Sequence, residues 1–154
     1  MRYLNKVLAK KLPKLKLHDS DLGNIGLVLI NGKKVTFEEF SKMENLKVKG
    51  NLDLREAALE KLPKDLKVGG NLWLYGSKIK ELPSGLTVGG HLDLYGSKIK
   101  ELPSGLKVGG DLGLYRTAIK ELPEDLKVKG EIRISSEMKK TFNAGRFKSK
   151  VRVR

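Results

Sequence analysis

The chain has 154 residues, of which 39% are hydrophobic, and a formal net charge of +14. This length suits one domain. No apolar run approaches the roughly 20 residues that a membrane-spanning helix needs, and the first residues lack the apolar region of a secretory signal. We therefore expect a soluble, cytoplasmic protein with no membrane partner. Cysteine is absent, which excludes disulfides and thiolate metal sites.

The predicted elements begin with an N-terminal cap over residues 1–45. A helix that stops at Pro13 is predicted from apolar residues on one face, namely Leu4, Val7, Leu8 and Leu12. Apolar segments on either side of Asn31-Gly32 predict a β-hairpin with a type I′ turn. The segment Thr36-Phe37-Glu38-Glu39 predicts a capping box that opens a short helix ending near Met43.

A repeated unit occupies residues 46–134. The segment from Leu66 to Gly85 recurs almost letter for letter from Leu86 to Gly105, which gives a period of about 20 residues. Looser copies begin at Leu46 and Leu106, and a partial copy begins at Leu126. The working pattern is L-x-V-x-G-x-L-x-L-x(4)-I/L-x-x-L-P. A single unit cannot bury its own leucines, whereas stacked units bury them together.

The spacing within the unit predicts short parallel strands. Both members of each L-x-L pair point the same way because side chains alternate along a strand. The pairs are Leu52/Leu54, Leu72/Leu74, Leu92/Leu94, Leu112/Leu114 and Ile132/Ile134. Glycine recurs just before each pair, where it permits a tight corner, and proline follows the last leucine of most units. So short a unit leaves little room for a helix on the convex side of each coil, where we expect extended or 3₁₀ segments instead.

The L-x-L pair followed by I-x-x-L-P in every unit resembles the short leucine-rich repeats of bacteria, including the LPX-type repeats of secreted effectors, and also repeats of small phage-encoded proteins. The resemblance implies a mainly β solenoid of about five coils and a binding role. The asparagine usual after L-x-L in this family is replaced by Ala57, Ser77, Ser97 or Thr117. The resemblance therefore implies that the asparagine ladder of the family is weakened or absent. LPX-type ubiquitin ligases need a catalytic cysteine, so that activity is excluded.

Residues 135–154 are predicted to form a mixed C-terminal cap. Ser136 is placed to open a helix that contains Met138 and Phe142 and ends at Gly145. The alternation of Lys, Val and Arg over Lys150–Arg154 predicts a half-buried edge strand whose charges discourage aggregation.

The residues between the inward leucines form an exposed sheet face, which is the predicted protein-binding site. An exposed Trp73 among tyrosines is a candidate anchor, since aromatic residues dominate interface energies. The alternative is a tyrosine ladder that only stabilises the sheet. The candidate contacts are Asn71, Trp73, Tyr75, His91, Asp93, Tyr95, Asp111, Tyr115 and Arg116. Five strands give a face of about 400 Å², half of the roughly 800 Å² that each partner buries in a standard interface, so flanking surfaces should contribute.

The basic C-terminus is a second candidate site. Residues 127–154 contain 10 basic and 2 acidic residues, whereas residues 46–126 contain 13 and 11. Contact with nucleic-acid phosphates and a purely structural or solubilising role are both open. The candidate residues are Lys139, Lys140, Arg146, Lys148, Lys150, Arg152 and Arg154. Lysines recurring within the repeat, such as the column through Lys67 and the column through Lys80, are interpreted as a solvated surface compensated by neighbouring glutamates.

Catalysis finds little support in the sequence. The two histidines, His18 and His91, are far apart along the chain. His91 has Asp93 and Asp111 as neighbours in the predicted sheet, but a surface histidine is a more common explanation than a metal ligand. We therefore predict no enzyme activity, cofactor or metal. The sequence predicts a protein-binding module, with a nucleic-acid-associated protein, or an inhibitor competing for a nucleic-acid-binding partner, as the alternative.

Overall fold

The computed structural model describes residues 26–154, so the predicted helix before Pro13 and His18 lie outside the described residues. Strand β1 (Leu27–Ile30) pairs antiparallel with β2 (Lys33–Thr36). Asn31 and Gly32 have φ values of 49° and 82°, which a type I′ turn requires. Helix α1 (Phe37–Ser41) follows, and the reciprocal bonds between Thr36 and Glu39 form the predicted capping box.

The chain then forms a solenoid of about five coils, which start at Leu46, Leu66, Leu86, Leu106 and Leu126. Each coil contributes one two- or three-residue strand to each of two parallel sheets. The five-stranded sheet contains β3 (Lys47–Val48), β5 (Lys67–Val68), β7 (Thr87–Val88), β9 (Lys107–Val108) and β11 (Lys127–Val128). The six-stranded sheet contains β4 (Leu52–Asp53), β6 (Leu72–Trp73), β8 (Leu92–Asp93), β10 (Leu112–Gly113), β12 (Ile132–Ile134) and β13 (Val151–Val153). Each strand pairs in register with the equivalent residues of the next coil, as Leu92 does with Leu112.

The core lies between the two sheets and the extended third side of each coil. The inward columns are buried as predicted; Leu72, Leu74 and Ile79, for example, are fully buried, and only Leu46 and Leu122 are partly exposed. No helix interrupts residues 46–134, in line with the expectation of extended segments. The five-stranded sheet was not predicted as a sheet, although the inward Leu and Val of L-x-V alternate as the L-x-L pairs do.

A ladder of side-chain acceptors joins the coils at the corner between the two sheets. The backbone N–H of His91 donates to Asn71 Oδ1, and that of Asp111 donates to His91 Nδ1, each at 2.8 Å. Asn51 and Asp111 accept from Asn71 and Glu131 in the same way, also at 2.8 Å. The expected loss of the asparagine ladder is confirmed at the position after L-x-L, where the buried Ser77 and Ser97 hydroxyls have no hydrogen-bond partner among the described residues. The coils have a different ladder. It occupies the position before L-x-L rather than the position after it.

The hairpin caps the first coil through one side chain. The Asn31 amide donates to Lys47 O at 3.0 Å, and its Oδ1 accepts from Lys49 N–H at 2.8 Å. These groups lie on the edge of β3 that faces away from β5, where a preceding coil would otherwise pair. Asn31 therefore satisfies an edge that would be left unpaired by stacking alone.

The C-terminal segment caps the last coil, but not with the predicted helix from Ser136 to Gly145. Two 3₁₀ helices, Met138–Lys140 and Gly145–Lys150, replace it, and Gly145 begins the second rather than ending the first. Gly145 has a φ of 50°, and the turn through it returns the chain so that β13 pairs in parallel with β12. The predicted edge strand is therefore confirmed, as Val151–Val153, but it is less buried than predicted because Val153 is exposed.

Cationic side chains close the exposed edge of β11. Arg146 donates to Leu126 O at 3.3 Å, and Lys150 donates to Val128 O at 2.5 Å. In the coils before, the equivalent carbonyls accept backbone N–H groups from the next coil. The two side chains thus replace the donors of a sixth coil.

The turn after L-x-L has a positive φ in four successive coils, and this gives a testable result. Glycine occupies the position in two of them, as Gly76 and Gly96 with φ values of 63° and 61°, whereas Glu56 and Arg116 adopt φ values of 55° and 53° in the other two. A left-handed conformation costs a non-glycine residue about 1–2 kcal/mol, less the entropy that glycine loses on folding. Glu56→Gly should therefore raise the free energy of unfolding by about 0.5–1 kcal/mol in urea titrations.

The reverse change at Gly96 is the matched comparison. A Cβ on Gly96 would meet nothing within 4 Å, so Gly96→Ala tests the backbone conformation alone. It should lower the free energy of unfolding by a similar amount, about 1 kcal/mol. Equal stability of both variants and the parent protein would contradict the proposed strain.

Candidate functional site

The outward face of the six-stranded sheet carries a row of aromatic side chains, here called the aromatic face: Trp73, Tyr75, Tyr95 and Tyr115. The tyrosines come from successive coils because β6, β8 and β10 are in register. Their ring centroids are 5.0 Å apart for Tyr75 and Tyr95 and 6.4 Å apart for Tyr95 and Tyr115, in tilted geometry. This spacing is that of interacting aromatic pairs. Tyr75 is also one of two large apolar side chains that are exposed among the described residues.

Trp73 lies half-buried between two carboxylates on this face. It pairs in register with Asp53 on one side and Asp93 on the other. The Arg55 guanidinium sits 5.6 Å from the Trp73 ring centroid, a cation–π distance. Asp53 holds that guanidinium through its Nε and Nη2, and this hydrogen bonding raises the pKa of Arg55. The Arg55 guanidinium thus lies over the indole ring and is held there by Asp53.

Three of the predicted contact residues take part in the inter-coil ladder. Asn71, His91 and Asp111 each accept a backbone N–H from the following coil. Accepting at Nδ1 requires that His91 carry no proton on that nitrogen. Any side chain with an acceptor at this reach suffices, so the variation of this column has an explanation within the fold. The tyrosine side chains of the aromatic face do not belong to this ladder, and their rings contact one another instead.

The rest of the face is polar and internally paired. Asp93 Oδ1 accepts from the Tyr95 backbone N–H at 3.0 Å. Arg133 Nη2 lies 2.7 Å from Asp111 Oδ2. Gly113 lies between Asp93 and Arg133 in this face, and a Cβ at Gly113 would lie 3.3 Å from Asp93 Oδ1.

Arg116 lies in the turn that borders the aromatic face. Its guanidinium is 5.6 Å from the Tyr95 ring centroid. A pocket of about 420 Å³ opens beside it, lined also by Tyr115, Glu137 and Arg154. The Tyr115 hydroxyl is buried and has no hydrogen-bond partner among the described residues.

The basic C-terminal residues divide into two groups. Arg146 and Lys150 cap carbonyls of the last coil, and Arg152 Nε lies 3.3 Å from Glu131 Oε1. The side chains of the remaining four make no hydrogen bond or ion pair among residues 26–154, and all are exposed: Lys139, Lys140, Lys148 and Arg154. The structure therefore gives the first group a role in the fold itself.

A second surface did not follow from the sequence as a site. The outward face of the five-stranded sheet, here called the lysine face, carries two columns of outward residues. The columns are Lys47, Lys67, Thr87, Lys107 and Lys127, and Lys49, Gly69, Gly89, Gly109 and Lys129. A groove of about 660 Å³ crosses its C-terminal end and is lined by five cationic residues and no carboxylate. The sequence feature that indicates this face is the L-K-V segment, in which an outward lysine lies between an inward leucine and an inward valine.

Residues 26–154 contain neither a cluster of metal-ligating side chains nor a helix that could span a membrane. No group of three or more His, Asp or Glu side chains there is arranged to hold a metal ion. No helix in the same part of the chain has the length and apolar character to cross a membrane. Comparison of the chain with protein-family models, with curated proteins and with solved structures gave no match.

Proposed function

We propose that the protein is a non-enzymatic binding module that holds a protein partner on the aromatic face. The observation that supports this proposal most directly is the half-buried Trp73 on β6 close to the exposed Tyr75, which lies in the turn that follows this strand. Tryptophan, tyrosine and arginine are the side chains most enriched at the energetic centres of interfaces. Here Arg55 and Arg116 stack on aromatic rings of this face.

Preorganisation favours this use of the surface. Side chains that are already held in one conformation lose little entropy on binding, and each rotamer-rich side chain that must be immobilised costs about 0.5–1.5 kcal/mol. Asp53 restrains Arg55, and Tyr75 packs on Tyr95.

Strand β13 extends the surface beyond the five coils. It places Arg152 directly beside Arg133, so that the face continues into the C-terminal segment. The five coils alone provide about half of a standard contact area. We therefore infer that the partner also contacts the turn at Arg116 and the pocket next to it.

The origin of the partner is a further part of this proposal. The repeat resembles that of small bacterial and phage proteins, and the described residues form a single solenoid with a cap at each end. On that ground we propose an inhibitor or adaptor that occupies a surface of a bacterial host complex.

Replacing the aromatic anchors should weaken binding strongly. A double variant, Trp73→Ala with Tyr75→Ala, removes two anchors of the kind that each contribute about 2 kcal/mol or more to binding. We expect the dissociation constant of a partner captured from nuclease-treated bacterial lysate to rise about 700-fold, which corresponds to two losses of about 2 kcal/mol each. Calorimetry with the purified partner would measure the change.

The matched control is Lys98→Ala with Lys100→Ala, on the third side of the solenoid and away from both sheets. This control should bind as the parent protein does, and circular dichroism should show that both variants are folded. A partner retained equally by the aromatic double variant would contradict the proposed function.

A further inference from the structure

We propose that the lysine face is a second binding site, which contacts the phosphate backbone of double-stranded DNA without reading its sequence. This site is separate from the aromatic face, which belongs to the other sheet. The proposal also differs from a role for the C-terminal basic residues, because its main contacts lie within the coils.

The lysines of neighbouring strands are directly opposite each other, and the repulsion between them lowers the stability of the fold. Lys47 is directly opposite Lys67, and Lys107 is directly opposite Lys127. Parallel strands are about 4.8 Å apart, and like charges that face each other at this distance destabilise a sheet. A surface that served only solubility would not require its charges to be adjacent.

The charges of the lysine face are not neutralised within the described part of the chain. No carboxylate there lies within 4.0 Å of any of its six lysines. The nearby Asp125 is already engaged: the Ser104 hydroxyl and the Gly105 N–H donate to it and lower its pKa. On the aromatic face, by contrast, arginines pair with carboxylates, as Arg55 does with Asp53. The two sheets therefore differ in charge compensation as well as in side chains.

The side chains present favour DNA over an acidic protein. Every outward residue of the lysine face is lysine, threonine or glycine, so it lacks the aromatic or apolar anchors on which protein interfaces depend. Phosphate contacts need none, because lysine acts as a point charge. Single strands are held by stacking on exposed aromatic rings, and the ring that lines the groove at the end of this face, Phe147, is only 8% exposed. A duplex presents its phosphates without requiring either kind of anchor, and duplex DNA is therefore the ligand proposed for this face.

The dimensions fit a short stretch of duplex. The row from Lys47 to Lys127 spans four strand spacings, or roughly 19 Å, which equals about six base pairs along the DNA axis. In the next column, the residues between Lys49 and Lys129 are glycines and have no side chains. The surface is therefore recessed there, so a rounded duplex can approach the lysine row. Arg146 and Lys150 extend the positive groove at the C-terminal end.

Charge removal on this face should weaken DNA binding strongly while stabilising the fold. The test uses the full chain, a fluorescent 20-base-pair DNA duplex of arbitrary sequence, and anisotropy at several salt concentrations. Lys67→Gln, Lys107→Gln and Lys127→Gln combined should weaken binding about 100-fold near 0.1 M salt and reduce the salt slope by about 3. The same variant should unfold at higher urea concentration than the parent, because the opposed charge of Lys107 and Lys127 is gone.

The control removes the same charge, at equivalent positions of successive coils, from another side. Lys80→Gln, Lys100→Gln and Lys120→Gln lie on the third side of the coils. This variant should keep more than about half of the parent affinity and a salt slope within about 1 of the parent value. Equal loss in the two triple variants would show attraction by net charge alone and would overturn the proposal.

A gain of affinity provides an independent test, since it does not depend on damaged protein. Thr87 is the one interruption of the row, between Lys67 and Lys107. Thr87→Lys should tighten binding by up to about tenfold at low salt, and Ala118→Lys, which adds the same charge on the third side, should not. Equal gains from both changes, or competition by polyglutamate as strong as that by the duplex, would also overturn it.

Discussion

Deletion of residues 145–154 should lower the free energy of unfolding by about 3–5 kcal/mol, which is the cost of removing a large buried aromatic side chain together with its neighbours. Phe147 is only 8% exposed and packs on the last coil. The deletion also removes β13 and the two cations that bond to Leu126 O and Val128 O. Buried or edge carbonyls without donors add to this loss. Urea titration followed by circular dichroism would measure it.

Hydrogen exchange would locate the effect. The Ser136 N–H donates to Arg154 O in the parent protein and should lose its protection, whereas the Leu72 N–H, which bonds to His91 O in the middle coils, should keep most of its own. The control for lost charge is full-length protein with Lys139→Gln, Lys140→Gln and Lys148→Gln, and its stability should hardly change. A truncated protein as stable as the parent would mean that these residues do not cap the solenoid. Truncation is therefore a poor test of whether the basic C-terminus binds a ligand.

A single methyl group at Gly90 should have the second large effect, a loss of about 2–3 kcal/mol. A Cβ there would lie 2.2 Å from Asn71 Oδ1 and 3.0 Å from the carbonyl carbon of Gly70. Asn71 Oδ1 accepts the His91 N–H, so Gly90→Ala must break a rung of the ladder or separate two coils. The midpoint of urea unfolding should fall with little change in slope.

The first coil offers a control in the same column. A Cβ on Gly50 would meet nothing within 4 Å, because no coil precedes it among the described residues. Gly50→Ala should leave stability unchanged or raise it by up to about 1 kcal/mol. In an Asn71→Ala background, Gly90→Ala should cost less than it does alone, since the colliding oxygen is absent. Equal effects at Gly50 and Gly90 would show that the ladder is not the reason for glycine.

The solenoid could be predicted because its information is local and repeated. Each inward leucine has an apolar counterpart at the same position of the next unit, so register and burial follow from the period alone. The hairpin and the capping box could be predicted because Asn31-Gly32 and the segment Thr36–Glu39 act through their own backbone. The five-stranded sheet was not predicted, although the L-x-V segment that forms it has the same alternation as L-x-L.

The C-terminal cap and the role of several site residues could not be predicted for a different reason. Arg146 and Lys150 act on carbonyls of the preceding coil, and nothing in the local sequence marks them as donors to those atoms. The ladder likewise uses unlike residues, with Asn71, His91 and Asp111 serving one purpose through different acceptor atoms. The outward position of these residues on the sheet predicted contact with a partner, whereas in the structure each of them accepts a hydrogen bond from the next coil.

At both ends of the solenoid, side chains make the hydrogen bonds that the backbone of a further coil would make. Asn31 contacts only the first coil, and Arg146 and Lys150 bond only to the last. Neither set of hydrogen bonds depends on how many coils lie between them. Duplication or loss of one repeat unit would therefore lengthen or shorten both outward faces by one strand spacing. Recombination between near-identical segments such as Leu66–Gly85 and Leu86–Gly105 could thus tune the reach of each surface without a new fold.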